Sequence, residues 1–385
     1  MQYIKLTLLS ILIGGFGFTL SAQTDSTAVY DTIQIEKKGF FKRFLEYFEE
    51  SNKVNPNKKF DFSIIGGPHY SSDVKLGLGL VASGLYRIDR SDLEMSPSNV
   101  SIYGDITTSG AYVIGISGNT LFPKMKYRID ADMYFAYRPS RYWGVGYDAG
   151  RQDGYTEYDN QVMELKFDFL KKMADNTYLG VTTNVKNIRG KHFDDISFLG
   201  TEKDQTTAVG AGLILSYDSR DFIPNPYKGI YAKVEHIFYP KFIGSTYTFN
   251  RTEFIFRHYR QVWKGGVVAF DLQGLFNHGD VTWNMMSLAG SSRQMRGYYA
   301  GRYRDKNLIQ TQVELRQNIY RRSGAVVWAG AGNVFPKFSD FEWNHTLPTF
   351  GVGYRWEFKK RVNVRLDYGF GKGESAFYFS INEAF

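Results

Sequence analysis

The chain has 385 residues, a formal net charge of +8 and 17% aromatic residues, and its mean hydropathy of -0.34 is too low for a helical membrane protein. It has no Cys, so disulfides, thiolate metal sites and a Cys nucleophile are excluded. The basic residues are spread along the chain, which argues against a nucleic-acid-binding face, because such a face needs clustered Lys and Arg.

Met1 to Ala22 have the parts of a secretory signal peptide. Lys5 supplies the positive charge, an apolar run extends from Leu6 to Leu20, and Ala22 fits the residue before the cleavage site. The run is shorter than the roughly 20 residues that a spanning helix needs, and no second run of spanning length follows. We therefore predict an exported protein without transmembrane helices.

Residues 23–59 are predicted to form a periplasmic linker with an amphipathic helix over 38–52. Phe40, Phe44 and Phe48 recur at helical spacing, while charged residues take the other side. Two placements fit this pattern. The helix packs under or in the mouth of the following domain, or it lies in the inner leaflet of the outer membrane as an anchor.

Residues 60–385 repeat short stretches in which apolar and polar residues alternate. In 126–138, for example, Ile129 and Met133 share one face, and Asp130 and Asp132 share the other. One face is charged in almost every stretch. A closed barrel with a polar lumen and a lipid-facing outer wall explains this pattern, because all backbone groups are then paired around the ring.

The number and spacing of these stretches predict an all-β fold, a transmembrane antiparallel β-barrel of about 16 strands. The strands start near residues 60, 75, 97, 110, 125, 155, 176, 206, 229, 246, 263, 308, 324, 347, 362 and 375. Sixteen is even, as single-chain bacterial barrels require. The long connections, 138–155, 189–206, 277–308 and 333–347, all follow odd-numbered strands, so we expect them on one side, the cell exterior.

Three segments resemble the BamA/TamA-type outer-membrane insertase superfamily, the bacterial surface antigen barrels. The first, YDSRDFIPNPYKG between the eighth and ninth strands, resembles the YDxRD...P(T/S)xG turn of the family through Asp218, Arg220, Asp221, Pro226 and Gly229. The second is SLAG at 287–290 followed by Arg296, Gly297 and Tyr298, and it resembles the GG...(V/L)RG(F/Y) segment of the longest exterior loop. The third resembles the C-terminal β-signal, with Phe377, Phe379, Ile381 and Phe385 alternating to the last residue.

The resemblance implies that the long loop folds back into the lumen and is held there by Arg296, Gly297 and Tyr298. Arg296 is expected to donate charge-assisted hydrogen bonds to a carboxylate of the inner wall. The candidates on inward-facing positions are Glu314, Asp367 and Asp271. The Asp that usually precedes Ala-Gly-Asn-Val in the family is Gly330 here, so the usual acidic partner is absent.

The resemblance also implies a function, assembly or translocation of other outer-membrane proteins in the bacterial outer membrane. It covers only 60–385, and 23–59 are too short for a POTRA domain of the kind that usually precedes the barrel, so we expect a member without POTRA domains. The expected partners are lipid, lipopolysaccharide and nascent outer-membrane proteins, with a periplasmic accessory protein or a second copy as alternatives for the missing domains.

Two other functions fit the sequence less well. A passive pore or structural barrel fits a charged lumen, but a loop of about thirty residues inside would obstruct flow. An enzyme needs a site, and the sequence contains no GxSxG, HExxH, P-loop or Rossmann motif. The turn at His192 and Asp194 is interpreted as a solvated acidic turn, and neither a metal nor a cofactor is expected.

The seam, where the first and last strands pair to close the barrel, distinguishes the pore hypothesis from the insertase hypothesis. We predict that the first strand, near Phe60 to Ile65, and the last, Ala376 to Phe385, pair over a short length, since the first contains Gly66, Gly67 and Pro68 at its end and Pro cannot donate to a ladder. A weak seam would let an incoming strand add to an exposed edge.

Overall fold

The computed structural model describes residues 61–88, 98–359 and 361–385. The predicted signal peptide, the linker and the helix over 38–52 lie outside these residues and stay predictions. The described part consists of the barrel and its connections, with no further folded domain. None of its helices is long and apolar enough to cross a membrane.

Sixteen antiparallel strands form a closed barrel in which sequence neighbours pair, and the first strand meets the last. The strands up to the long loop are β1 (Asp61–Ser71), β2 (Lys75–Tyr86), β3 (Ser98–Thr107), β4 (Tyr112–Leu121), β5 (Tyr127–Tyr142), β6 (Thr156–Ala174), β7 (Thr177–Lys191), β8 (Gln205–Asp218), β9 (Gly229–Tyr239), β10 (Phe249–Trp263) and β11 (Gly266–Gly279). The strands after it are β14 (Asn307–Tyr320), β15 (Ser323–Phe335), β16 (Leu347–Lys359), β17 (Val362–Gly371) and β18 (Glu374–Ile381). Two-residue strands β12 (Ser287–Leu288) and β13 (Arg304–Asp305) pair within the loop.

The predicted sixteen strands are confirmed, and each predicted start lies within three residues of an observed one. The alternation explains this agreement. In β14 the apolar Ile309 and Val313 are exposed, whereas Gln312, Glu314 and Arg316 are buried. This pattern is the reverse of a soluble protein and is typical of a barrel with lipid outside.

The connections differ in length at the two ends of the barrel. One end, here called the loop end, carries the long connections, including the short helix α1 (Tyr147–Arg151) and the 3-10 helices Ile196–Leu199, Lys241–Ile243, Phe338–Asp340 and Trp343–His345. The other end, the turn end, carries mostly short turns, the 3-10 helix Pro123–Met125 and the longer segment 219–228 between β8 and β9. The four connections predicted to be long, 138–155, 189–206, 277–308 and 333–347, correspond to the connections after β5, β7, β11 and β15, which are odd-numbered strands of the barrel, as predicted.

The largest apolar cluster lies at the loop end, under the connection from β11 to β14. Its members include Tyr147, Met295, Tyr298, Tyr303 and Leu308, all at most 5% exposed. Loop residues thus supply much of the core, and they pack against strand residues such as Leu308 and Leu347. This packing positions the loop segment 293–300 against the lumen face of the wall.

Candidate functional site

Arg296 is completely buried among the last strands of the barrel. Its Nη1 donates to Asp367 of β17 at 2.6 Å, and its Nη2 donates to Glu314 of β14. The guanidinium lies 3.7 Å from the ring centroid of Trp328 in β15, and Thr349 of β16 donates to the Arg296 carbonyl. One residue of the loop therefore contacts four consecutive strands.

The neighbours of Arg296 explain the Gly and the Tyr of the motif. Gly297 has a φ of +110°, and a Cβ there would lie 2.7 Å from the carbonyl carbon of Phe370, so only Gly fits this close approach. Tyr298 is buried, and its hydroxyl donates to the carbonyl of Pro348 at 2.7 Å and accepts from the backbone N–H of Lys372 at 2.8 Å. Burial raises the pKa of Tyr298 to about 12, so the hydroxyl stays protonated as a donor at neutral pH.

The third candidate partner, Asp271, does not touch Arg296. It accepts a hydrogen bond from Arg257 at 2.8 Å. Gln312 lies between them, donating to Asp271 at 3.4 Å and accepting from Arg296 at 3.3 Å. The structure therefore brings Glu314 and Asp367 to Arg296 and keeps Asp271 one residue away.

The turn between β8 and β9, which carries the family turn motif, lies at the turn end and is held by ion pairs and hydrogen bonds of its charged residues. Arg220 donates to Asp218 at 2.7 Å, and Asp221 accepts from the backbone N–H of Tyr227 and from Arg361. Gly229 has a φ of +111°, and a Cβ there would lie 2.3 Å from the Ser219 carbonyl oxygen. Pro226 is buried in the same turn.

Arg361 ties this turn to the turn between β16 and β17. It lies 4.0 Å from the ring centroid of Tyr227 and donates to the Asn225 carbonyl at 2.6 Å. The backbone N–H of Glu383 also donates to the Pro224 carbonyl at 3.4 Å. The motif turn thus reaches across part of the barrel mouth toward the C-terminal residues.

The seam between β1 and β18 has two residue pairs in the described chain, Tyr70 with Phe379 and Ser71 with Tyr378. Every other neighbouring pair of barrel strands has at least eight. Both pairs lie at the loop end. Continuing the register, Pro68 falls opposite Ile381, where β18 ends.

The last residues leave the wall instead of extending the seam. The prediction that the last strand runs to Phe385 was wrong, because β18 ends at Ile381 and Asn382 turns the chain with a φ of +70°. Phe377 is on the exposed face, whereas Phe385 is buried near Tyr259 and accepts from Arg316 at 2.9 Å. We call residues 382–385 the tail.

Residues 119–385 match the family model of the Omp85 superfamily domain. The chain belongs to the Omp85 superfamily. Similar solved structures include BamA from Haemophilus ducreyi lacking POTRA domains 1–3, with 12% identity over 83% of this chain and 70% of that chain and a TM-score of 0.57. No curated protein matches the sequence significantly.

Two structures of CdiB are also similar to this Omp85 barrel. CdiB from Acinetobacter baumannii has 11% identity over 85% of this chain, with a TM-score of 0.55, and CdiB from Escherichia coli has 11% identity over 86%, with the same TM-score. This chain spans 60% and 63% of the length of those two chains. At such low identities the likeness shows the fold alone.

The Omp85 barrel also contains lumen residues that the sequence analysis did not assign to the site. Arg355 donates to Asp367 at 2.6 Å and to Glu383 at 2.8 Å, and Arg316 donates to Glu314 at 2.9 Å. Arg365 lies 3.4 Å from Asp367. These residues connect the carboxylates that bind Arg296 to the tail in one buried network of charges.

A signal for these residues exists in the sequence. Arg316, Arg355 and Arg365 all occupy the polar face of alternating strands, so their inward direction could be predicted. The contacts among these residues could not be predicted. Arg355 and Arg365, for example, are register partners on β16 and β17, and register between strands depends on turn geometry as well as on the alternation.

Proposed function

We propose that this protein lies in the bacterial outer membrane and assembles or translocates other outer-membrane proteins at the seam between β1 and β18. In this proposal the free edge of β1 pairs with a strand of the substrate. Backbone N–H and C=O groups on an unpaired edge are a template for an added strand. The observation that carries the proposal is the length of the seam, two residue pairs.

Two features support a usable edge. Residues 61–67 of β1 pair with β2 on one side, but on the other side they extend past the end of β18, and among the described residues no strand covers them. The tail cannot cover them in this arrangement, because Glu383 is bound to Arg355 and Asn363 inside the barrel. An incoming strand would therefore meet unpaired backbone groups at the turn end.

The outward face supports the membrane location. Leu76, Leu78, Ile102 and Ile114 are 48–59% exposed on neighbouring strands near the seam. A large exposed apolar surface of this kind needs lipid around it. The proposed partners are therefore lipid, lipopolysaccharide and unfolded outer-membrane proteins, with a periplasmic protein or a second copy of the chain delivering the substrate.

A passive pore is less well supported. Segment 293–300 crosses the lumen face of the last strands, and buried ion pairs join it to the wall. In a pore of sixteen strands, by contrast, the lumen is an aqueous channel. The likeness to BamA and CdiB agrees with the proposal at the level of the fold.

The test is to lock the seam. The chain has no Cys, so Tyr70→Cys with Phe379→Cys gives one disulfide across register partners. The protein is reconstituted into lipid vesicles, and folding of a newly synthesised eight-stranded outer-membrane barrel is followed by its protection from protease. We expect the oxidised variant to lose the acceleration of folding and to regain it after reduction.

The matched control places the same disulfide where no opening is proposed. Val352 and Tyr368 are register partners on the exposed faces of β16 and β17, so Val352→Cys with Tyr368→Cys locks an intact pair of strands. This variant should be as active oxidised as reduced. Full activity of the oxidised seam variant would exclude opening at the seam as the mechanism.

A further inference from the structure

We infer that residues 297–300 form a strap that holds the loop end of the seam closed in the absence of substrate, so that opening begins at the turn end and reaches the loop end only when a substrate strand is added. The strap is fastened to β18 and to the β1–β2 turn by backbone N–H groups. The inference rests on the proposed function, because it states how opening at the same seam is limited and directed.

The strap is bound first on the β18 side. The backbone N–H of Gly297 donates to the hydroxyl of Tyr378 at 3.0 Å, and the backbone N–H of Tyr299 donates to the Glu374 carboxylate at 3.0 Å. Glu374 begins β18, and its side chain also lies 3.3 Å from Arg302 of the same loop. These contacts fix the strap to the last strand of the barrel.

The next residue of the strap binds the other side of the seam. The backbone N–H of Ala300 donates to Asp73 at 3.3 Å, and Asp73 lies in the turn between β1 and β2. Consecutive Cα atoms are only about 3.8 Å apart. The successive amides of Tyr299 and Ala300 therefore bind the start of β18 and the β1–β2 turn. The backbone ladder between β1 and β18 joins these two parts by only two residue pairs.

The carboxylates that the strap binds would otherwise push the seam apart. Asp73 and Glu374 lie on opposite sides of the seam. Burial raises the pKa of Glu374, and the charge of Asp73 contributes less to the same rise, because like charges repel. Burial raises the pKa of Asp73, and the N–H of Ala300 together with Lys75, Arg141 and Arg138 oppose that rise. The strap amides thus stabilise the charges at the place where the two hairpins meet.

The remaining ties across the seam are at the same end. The backbone N–H of Phe377 donates to the Ser72 hydroxyl at 3.2 Å, and the rings of Tyr70 and Phe377 have centroids 5.8 Å apart. Toward the turn end, Gly67 has no side chain to touch Ile381, although a Cβ placed on it would lie 3.5 Å from the Ile381 Cδ1. Because Arg296 anchors the strap in the wall, it is a positioning residue for closure of the loop end.

Spin labels can measure the two ends of the seam separately. Leu76 and Phe370 flank the seam near its loop end, and Leu80 and Val364 flank it near its turn end, on strands β2 and β17. Each pair is replaced by Cys, labelled and measured by double electron–electron resonance in vesicles without substrate. In the otherwise unchanged chain we expect a narrow distance distribution at the loop end and a broad one at the turn end.

Removing the acceptors should open the loop end. In the Asp73→Ala, Glu374→Ala variant we expect the loop-end distribution to become as broad as the turn-end one. The conservative variant Asp73→Asn, Glu374→Gln keeps a carbonyl acceptor at each position and should restore a narrow distribution. The matched control is Asp148→Ala with Asp340→Ala, two exposed carboxylates of loop-end connections.

The outcomes separate the strap from the proposed function. Equal widths at the two ends in the unchanged chain would overturn the inference even if no variant folds, and so would a loop end that stays narrow without Asp73 and Glu374. A loop end that widens in a barrel with no insertion activity would support the strap and refute the proposed function. Folding of each variant is checked by its heat-modifiable mobility in gels.

Discussion

Arg296 and its two carboxylate partners, Glu314 and Asp367, are completely buried, so solvent does not compensate for the loss of the guanidinium. Breaking a buried ion pair from one side leaves an uncompensated charge, which costs about 3–5 kcal/mol. Removing the Arg296 guanidinium would leave the Glu314 and Asp367 carboxylates without their shared partner, although Arg316 still contacts Glu314 and Arg355 still contacts Asp367. Because these two arginines remain, we expect Arg296→Ala to lower the free energy of unfolding by at most that amount, measured by denaturant unfolding in detergent.

The control for Arg296 is three residues away in the same loop. The side chain of Arg293 is exposed, so Arg293→Ala should leave the unfolding midpoint nearly unchanged. Arg296→Lys should recover little, because an ammonium cannot bridge two carboxylates with a planar fork. If Arg293→Ala and Arg296→Ala were equally destabilising, loss of positive charge in the loop would explain the effect better than the buried pair.

Asp221 gives a prediction about pH. Burial acts to raise its pKa, but the hydrogen bond from Arg361 and the backbone N–H groups of Tyr227 and Lys228 outweigh burial and lower the pKa from its ordinary 3.8. A lowered folded-state pKa adds stability that is fully present above the ordinary pKa and disappears as the pH falls through the lowered value.

The measurement compares the chain with Asp221→Asn. The variant should be less stable at pH 6, and the difference in free energy of unfolding should shrink steadily below about pH 4. Asp175→Asn alters an exposed carboxylate in another turn of the same end and should show little difference at either pH. A difference between the chain and Asp221→Asn that stays constant down to pH 2 would contradict the assigned ion pair.

At the level of single residues, the sequence was informative where a motif fixed the position. The directions of Glu314 and Asp367 follow from alternation alone, and their contacts with Arg296 are consistent with the family resemblance. The stacking of Trp328 on Arg296 and the ion pair of Arg355 with Glu383 could not be predicted. Their meeting depends on register and on the turn at Asn382, which no local pattern specifies.

Among the elements, the loop between β11 and β14 depends on one backbone position. Gly297→Ala must add a Cβ at a φ of +110° and within 3 Å of the β17 backbone, so segment 293–300 has to move away from the wall. We expect faster cleavage in this segment by an added protease and a lower unfolding midpoint.

A second glycine separates backbone strain from steric contact. Gly110 also has a positive φ, +88°, but a Cβ there would meet nothing within 4 Å. Gly110→Ala should therefore show the cost of the strained φ alone, about 1 kcal/mol or more, without new cleavage in the loop. If Gly110→Ala and Gly297→Ala lowered the unfolding midpoint equally, the positive φ, and not the close approach to β17, would explain why position 297 is Gly.

The strands show why their starts were easier to predict than their ends. Alternation marks where a strand begins to cross the membrane, but β6 continues for 19 residues, beyond the length that crossing needs, because its neighbours β5 and β7 are long as well. The opposite happens in β18. Phe385 has the same parity as Phe377 and Phe379, which suggested a strand that runs to the end of the chain, whereas the buried contacts of Glu383 and Phe385 place these residues inside the barrel.

For the whole molecule, we predict low conductance. Segment 293–300 lies against the lumen face of the last strands and narrows the lumen, so single barrels in planar bilayers should carry less current than an open barrel of sixteen strands. Arg296→Ala should raise the frequency of open events, whereas Arg293→Ala should not. A large steady current through the unchanged chain would favour the pore.

The two-pair ladder between β1 and β18 also determines the order in which this molecule can fold. Every other pairing joins strands that follow each other in the chain, so it closes over a short stretch and can form early. The seam joins Tyr70 to Phe379, and its loop-closure entropy is lost for only a few hydrogen bonds. A nearly complete, curved sheet should therefore exist before the ring does, and ring closure should be the last and most reversible step of folding.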